Sequence, residues 1–405
     1  MPSHTSPDNG ERMYSIVASA VNHPDSVNPY QGLFNQRILS SLAETDVSLD
    51  AVSPRPFAPP VGPYSEYSEL PRVEEWGSYE THLPRFWYLL PKRLFYGHAG
   101  RSFAKRVPPY VERTFDVPDV VHACHIYLDG YGMLPYCREH DLPLFVVGHG
   151  AILNDFDDLA SDVRKQVRET LDEATGVLCV SDALAEKARQ HTDAAKVSTV
   201  PIGADPENFP TEEEATLRRE LGIDPETTVV LFVGQFIERK GVGELVEVLP
   251  TLDLTNTEFV FVGSGGEMES DLRAAVSESR SPAGAVRTGI STAKLRQWYA
   301  VADLLVLPSH AEGRPTVIYE AMASETAVLA TPVGGVSEQV VDGETGVLIP
   351  PGDVDALEAE LTRLTEDRER LGEMGRRGHD RLRENEWTWD GHARRVRRLH
   401  EAALE

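Results

Sequence analysis

The stretch DLLVLPSHAEGRPTVIYEAMASETAVLATPVGG, residues 303–335, holds a strand, a loop, a helix and a second strand in close succession. Residues 303–309 form a nearly unbroken apolar run, as expected of a strand buried on both faces of a parallel sheet. A helical pattern follows, beginning near Pro315–Val317 and reaching residue 324, and 327–333 is apolar again. Strand, crossover helix and strand make a βαβ unit. Glu312 falls in the loop at a strand's carboxyl end, and Glu320 lies eight residues on, inside the helix.

Reading outward, the alternation continues both ways. Strands are predicted at 228–234, 258–263, 286–290 and 346–350, with helices near 241–249, 267–279, 292–301 and 354–365. In the first half, strands are predicted at 13–20, 47–53, 119–124, 143–149, 176–181 and 197–202, with helices such as 34–43 and 183–191 between them. The fold class is therefore α/β, with two Rossmann-like, doubly wound domains. The proline- and acid-rich stretch PIGADPENFPTEEE (201–214) reads as the linker, giving domains 1–204 and 205–384. A chain of 405 residues suits two cores of this size. Two such domains facing a central cleft would present the carboxyl ends of both sheets to a ligand. The first strand is not followed by G-x-G-x-x-G, which disfavours a dinucleotide oxidoreductase.

Composition narrows the classes further. A net charge of −26 argues against nucleic-acid binding, which needs a basic face. Seven lysines stand against 32 arginines, and an acidic, lysine-poor surface is that expected of a halophile's salt-rich cytosol. There is no run of about 18 apolar residues for a membrane span, and no basic-then-apolar leader, so a cytoplasmic location is expected. Cys124, Cys137 and Cys179 are scattered and odd in number, which suggests neither a disulfide framework nor a metal site.

Two segments carry chemistry. VGQFIERKG (233–241) follows a strand and opens a helix. Such a turn offers backbone N–H groups and a positive dipole end to an anion, and Lys240 adds a compact charge that reaches phosphate oxygens. In the second, residues 313–317 present consecutive amides at a helix start, except at Pro315, which has none. Those amides suit a diphosphate or a sugar hydroxyl. Two carboxylates bracketing an anion site need other work, and binding vicinal hydroxyls is such work. A nucleotide sugar has vicinal hydroxyls on both sugar and ribose, with a diphosphate between them.

On GQFIERKG, FVGSGGEMESDL, YAVADLLVLPSHAEGRPTVIYEAMA and ATPVGGVSE…GETGVLIPPGD, residues 228–352 resemble the retaining glycosyltransferases of family 4 (glycosyl transferases group 1, GT-B fold). The resemblance implies that Glu320 holds the ribose hydroxyls and Glu312 those of the donor sugar, helped by the amides of Gly313 and Arg314. It implies that Lys240 pairs with the diphosphate beside Gly234, Pro315 and the amides of Thr316 and Val317. Gln235 stands where the family has arginine, so a cation is missing there, and Arg239 is the neighbour able to replace it. Arg314 stands where an apolar residue is usual, which bears on donor-sugar choice.

The first half resembles the family more weakly. DVVHACHIYLDGYGMLPYCREHDLPLFVVGHG (119–150) is similar to the acceptor-domain stretch ending in His-Gly, which implies His149 near the reacting carbon or the donor sugar. YQGLFNQ (30–36) sits where the family has a double glycine, and Gly32 alone is kept, its backbone able to approach the diphosphate. The resemblance also implies retention of configuration and a terminal helix, about 385–405, packed back on the first domain.

The expected activity is transfer of a sugar from a nucleoside-diphosphate donor to a polyprenyl-linked or cell-surface glycan acceptor. Catalytic weight would fall on His149, Lys240 and Glu312. No cofactor and no metal are expected: DVD (353–355) lies past a strand, and Asp353 reads as a helix N-cap. Residues 85–106, RFWYLLPKRLFYGHAGRSFAKR, contain six Arg or Lys and no acid, interleaved with aromatics. That mixture, with Arg394, Arg395, Arg397 and Arg398, predicts peripheral association with the inner face of the membrane. A sugar-nucleotide epimerase and a non-catalytic sugar-nucleotide-binding protein remain as alternatives on the same architecture.

Overall fold

Each apolar run named above is a strand in the computed structural model, which describes residues 14–57, 65–88, 96–209, 214–263, 265–279 and 284–405. The chain divides into two compact units, Met1–Val200 with Trp389–Glu405, and Pro201–Thr388.

In chain order the first unit has β1 (Tyr14–Ser19), β2 (Val47–Val52), β3 (Arg55–Pro56), β4 (Val73–Trp76), β5 (Tyr79–His82), β6 (Arg85–Phe86), β7 (Val120–Ala123), β8 (Leu144–Gly148), β9 (Gly176–Cys179) and β10 (Val197–Thr199). Its main sheet runs β10-β9-β8-β7-β1-β2-β5-β4, and β3 pairs with β6 in a small second sheet. All pairs are parallel except β4–β5. That hairpin departs from the purely parallel expectation. VEEWGSYETH alternates with period two about Gly77–Ser78, and Gly77 takes φ 65°, as a tight two-residue turn requires. The helix Trp389–Leu404 lies in this unit, where Tyr14 Oη and His400 Nδ1 are hydrogen-bonded at 3.1 Å.

The second unit has β11 (Thr228–Val233), β12 (Thr257–Gly263), β13 (Gly284–Thr288), β14 (Leu304–Leu307), β15 (Ala327–Ala330) and β16 (Gly346–Leu348). They form one all-parallel sheet in the order β13-β12-β11-β14-β15-β16. Counted from its own first strand this is 3-2-1-4-5-6, the doubly wound order. Helices on both faces leave β11 and β14 buried at every residue. Phe232, Leu245, Phe259, Leu304, Leu329 and Leu361 belong to the resulting core. Burying each such side chain contributes about 1.5–3 kcal/mol.

The stretch expected to be a linker is partly seated. Ile202 and Ala204 are buried, Ala204 N donates to Trp387 O at 3.1 Å, and a Cβ on Gly203 would lie 1.8 Å from that oxygen. The C-terminal pattern splits into helices Arg368–Glu384 and Trp389–Leu404 around Trp387.

Candidate donor site

The strand order of the second unit reverses between β11 and β14. Crossovers leave those strands toward opposite faces, which opens a crevice at their carboxyl ends. The loop after β11 runs through Gly234, Gln235 and a short 3₁₀ turn, Glu238–Lys240, to the helix Val242–Val248. Gly241 between them has φ 72°, and a Cβ there would sit 2.1 Å from Pro308 O. Only glycine permits that conformation and that approach. The loops after β11 and β14 therefore lie directly against each other, and His310 N donates to Arg239 O at 2.9 Å.

This contact brings two of the predicted residues together. Lys240 Nζ donates to Glu312 Oε1 at 2.6 Å, and Ser309 Oγ donates to the same oxygen at 2.7 Å. Glu312 is buried and Lys240 is largely so. Glu312 Oε2 has no protein hydrogen bond among the described residues, and Lys240 uses one of its three donors. A carboxylate oxygen and two ammonium donors are left with spare hydrogen-bonding capacity, on side chains already oriented by each other. Ser309 was not singled out from the sequence, although a hydroxyl three residues before a loop glutamate was a usable signal. The same holds for Glu244, whose Oε1 lies 2.7 Å from His310 Nε2.

Past Glu312 the chain passes Gly313, Arg314 and Pro315 into the helix Thr316–Ala323, with Pro315 at the N-cap. The amides of Thr316 and Val317 belong to the first turn, which has no intrahelical acceptors. Gly335 N donates to Gly313 O at 2.8 Å, and Gly334, at φ 57°, would carry a Cβ 2.1 Å from Glu312 O. The glycine pair after β15 thus clamps the loop from behind.

Arg314 faces inward. Its guanidinium bonds Glu338 and Tyr319 Oη and lies 5.0 Å from the Trp387 ring, and its side chain is 2% exposed. Its side chain is therefore occupied, and only its backbone is left for other contacts. Glu320 is half-buried further along the helix. Burial and the negative charge of Glu320 push the buried Tyr299 phenol well up, so that hydroxyl stays protonated beside the carboxylate. Gln235 and Arg239 are exposed, and Arg239 Nη1 donates to Ala311 O at 3.3 Å, next to Glu312. Asp353 caps the helix Val354–Thr365 by accepting from Ala356 N at 2.9 Å.

Two predicted residues lie in the first unit. Gly32 has φ 72° ahead of the helix Leu33–Ala43, and a Cβ would sit 2.1 Å from Asn22 O, so local geometry already demands glycine. His149 follows β8 directly. Its ring centroid is 4.6 Å from Phe34 and 5.3 Å from His125, and its Nε2 is buried without a hydrogen-bond partner. Burial above all holds it neutral, well below 6.5.

The basic stretch is less uniform than its sequence. Arg85 is part-buried, with Nη2 donating to Leu70 O at 3.0 Å, so it is not a free surface cation. Lys92 and Arg93 lie outside the described residues. Trp87 is exposed beside Phe57, ring centroids 4.7 Å apart, with the Arg106 guanidinium 5.6 Å from the Trp87 ring. In the terminal helix, Arg394 pairs with Asp390, and Arg397 with Glu401 at 2.8 Å, which reduces the expected cationic face. No helix among the described residues is long and apolar enough to cross a membrane.

Comparison with known proteins agrees with this geometry. Glycosyl transferases group 1 match residues 213–381, and Glycosyltransferase Family 4 matches residues 52–208. The Bacillus subtilis teichuronic acid biosynthesis glycosyltransferase TuaC is 28% identical over 84% of this chain and 86% of its own. Among solved structures, sucrose-phosphate synthase from Thermosynechococcus elongatus superposes with a TM-score of 0.79 at 22% identity, covering 96% of this chain and 99% of that one. Anabaena HepE in complex with UDP-glucose gives 0.70 at 17% identity, covering 96% and 100%. Family matches to each half, a GT-B fold and the Lys240–Glu312 site converge, and the chain belongs to the family 4, group 1 glycosyltransferases.

Proposed function

We propose that the protein transfers a sugar, with retention of configuration, from a nucleoside-diphosphate donor to a glycan acceptor of the cell surface or its lipid-linked precursor. One observation carries the donor half: Glu312 Oε2 and two Lys240 donors are left without protein partners beside the amides of Gly313, Arg314, Thr316 and Val317. Lys240 and the helix start would stabilise the charge growing on the leaving diphosphate, the main catalytic task in this chemistry. Glu312 would accept from donor-sugar hydroxyls and Glu320 from the ribose. By the family resemblance, uncharged His149 and the Gly32 backbone are further candidate contacts for the sugar and the diphosphate. No divalent metal is required in this reading, because the lysine and the amides supply the counter-charge.

The acceptor class is supported by TuaC, named for teichuronic acid biosynthesis. The exposed Trp87–Phe57 pair with Arg106 supports peripheral membrane contact, since aromatic and cationic groups together favour the bilayer interface. The acidic, lysine-poor composition supports a halophilic, cytoplasmic setting.

A calorimetric screen of nucleotide sugars, then mass analysis of lipid extracts incubated with the best binder, tests the reading. One donor should bind and one lipid should gain a single glycosyl mass. Donor turnover without any acceptor would point to an epimerase, and tight binding without turnover to a sensor.

A further inference from the structure

The first unit has its own reversal of strand order, between β1 and β7, and a histidine stands at that crevice. β1 leads into the loop that ends at Gly32, and β7 leads into Cys124, His125 and the turn to Asp129. Asp129 is fully buried and satisfied by three donors: Ser19 Oγ at 2.8 Å and Val21 N at 2.8 Å on Oδ1, and His125 Nδ1 at 2.9 Å on Oδ2. It ties the end of β1 to the loop after β7 and fixes one face of the His125 ring. Nδ1–H must point at the carboxylate, so neutral His125 carries its lone pair on Nε2. That nitrogen has no protein partner among the described residues, and the side chain is 19% exposed.

The surroundings suit a polyol rather than an apolar group. Phe34 lies 6.3 Å from the His125 ring and 4.6 Å from that of His149, providing a flat apolar wall. His149 presents a second imidazole nitrogen, buried and without a partner. A sugar has an apolar ring face to lay on an aromatic and hydroxyls that donate to such nitrogens.

We propose that His125, held in one tautomer by Asp129, anchors a hydroxyl of the acceptor sugar by accepting its hydrogen bond at Nε2. The assignment rests on the reading of the acceptor as a glycan. His125 touches the acceptor, and Asp129 acts as a positioning residue. Asp129→Asn is the discriminating variant. Val21 N can only donate, so the amide oxygen stays toward Ser19 and Val21 and the NH₂ turns to His125. Nδ1 then becomes the acceptor and Nε2 carries the proton, inverting the hydrogen bond offered to the sugar while the loop keeps its ties.

Saturation-transfer NMR with p-nitrophenyl glucoside, galactoside and N-acetylglucosaminide tests this on wild type, His125→Ala and Asp129→Asn, with thermal melts to confirm folding. Glycoside affinity should fall roughly tenfold in both variants, as for loss of one buried hydrogen bond. Calorimetric affinity for UDP-glucose, GDP-mannose or ADP-glucose, whichever binds, should not change. Undiminished glycoside binding by either variant, or no glycoside binding by the wild type, overturns the assignment. Failure of every nucleotide sugar to bind the wild type would instead overturn the donor reading, and the glycoside series would still decide His125.

Discussion

Lys240 Nζ sits 2.6 Å from Glu312 Oε1, although 72 residues separate them in sequence. The pairing joins the carboxyl ends of β11 and β14, neighbouring strands where the sheet order reverses. Each charge keeps the other in place before any ligand arrives, and pre-orientation of this kind is what transition-state stabilisation needs. Replacing Lys240 with Ala should lower the transfer rate by about 10²–10³, the loss typical when one charge-stabilising donor is removed. Glu312→Gln keeps the Ser309 bond and removes the charge, so it should weaken donor-sugar discrimination more than folding. Rates with the best donor and melting curves of both variants check this.

Arg314 predicts a stability effect. Removing a buried partner costs about 3–5 kcal/mol when the other charge is stranded. Glu338 is 21% exposed, so Arg314→Ala should cost less, about 2–3 kcal/mol. Arg314→Met with Glu338→Gln should recover most of that loss, because the shape is filled and no charge is left alone. Urea denaturation of the three proteins decides it.

Two glycines separate strain from collision. Gly241 and Gly222 have φ 72° and 75°, but a Cβ on Gly241 would strike Pro308 O whereas one on Gly222 has nothing within 4 Å. Gly222→Ala should cost about 1–2 kcal/mol from the left-handed backbone alone. Gly241→Ala should cost more and should also raise the donor dissociation constant, because it forces the Lys240 and Glu312 loops apart. Equal stability losses with unchanged donor affinity would count against the loop contact as the site's foundation.

Buried histidines of the first unit should make its stability fall in acid. His23 is held neutral by burial, with Nδ1 bonded to Pro24 O at 2.9 Å and Nε2 to Tyr79 Oη at 2.7 Å, and its pKa falls to about 4. Burial lowers that of His122 to about 3. Folded values lie below the ordinary 6.5, so the unfolded chain takes up protons first as pH drops. Stability present above pH 6.5 is lost between there and about pH 4 for His23 and about pH 3 for His122, about 2 kcal/mol per such histidine by pH 5. Urea midpoints at pH 7 and pH 5 should show the loss, and His23→Gln should make it smaller.

Much of this architecture was readable because parallel strands buried on both faces are short apolar runs that stand out against helical stretches. Five of the six strands of the second unit come from such runs, and the edge strand β13, GAVRT, is the more exposed exception. The β4–β5 hairpin was not read, because its alternating, half-exposed residues resemble a polar loop. The places of Lys240 and Glu312 in loops after strands, and of Glu320 in the helix that follows, were legible from the sequence. The contacts of Glu338 and Trp387 were not: they arise from pairings such as Arg314 with Trp387, 73 residues apart, which no local pattern records. The Asp129–His125 pair is four residues apart yet depends on Ser19 and Val21 from β1 and the loop after it.

A crystal structure of the protein with its best-binding nucleotide sugar tests the central claim most directly. Lys240 Nζ should lie about 3 Å from a diphosphate oxygen, with Glu312 Oε2 on a sugar hydroxyl and Glu320 on the ribose. A donor bound away from the ends of β11 and β14, or one leaving the Lys240–Glu312 pair untouched, would contradict it.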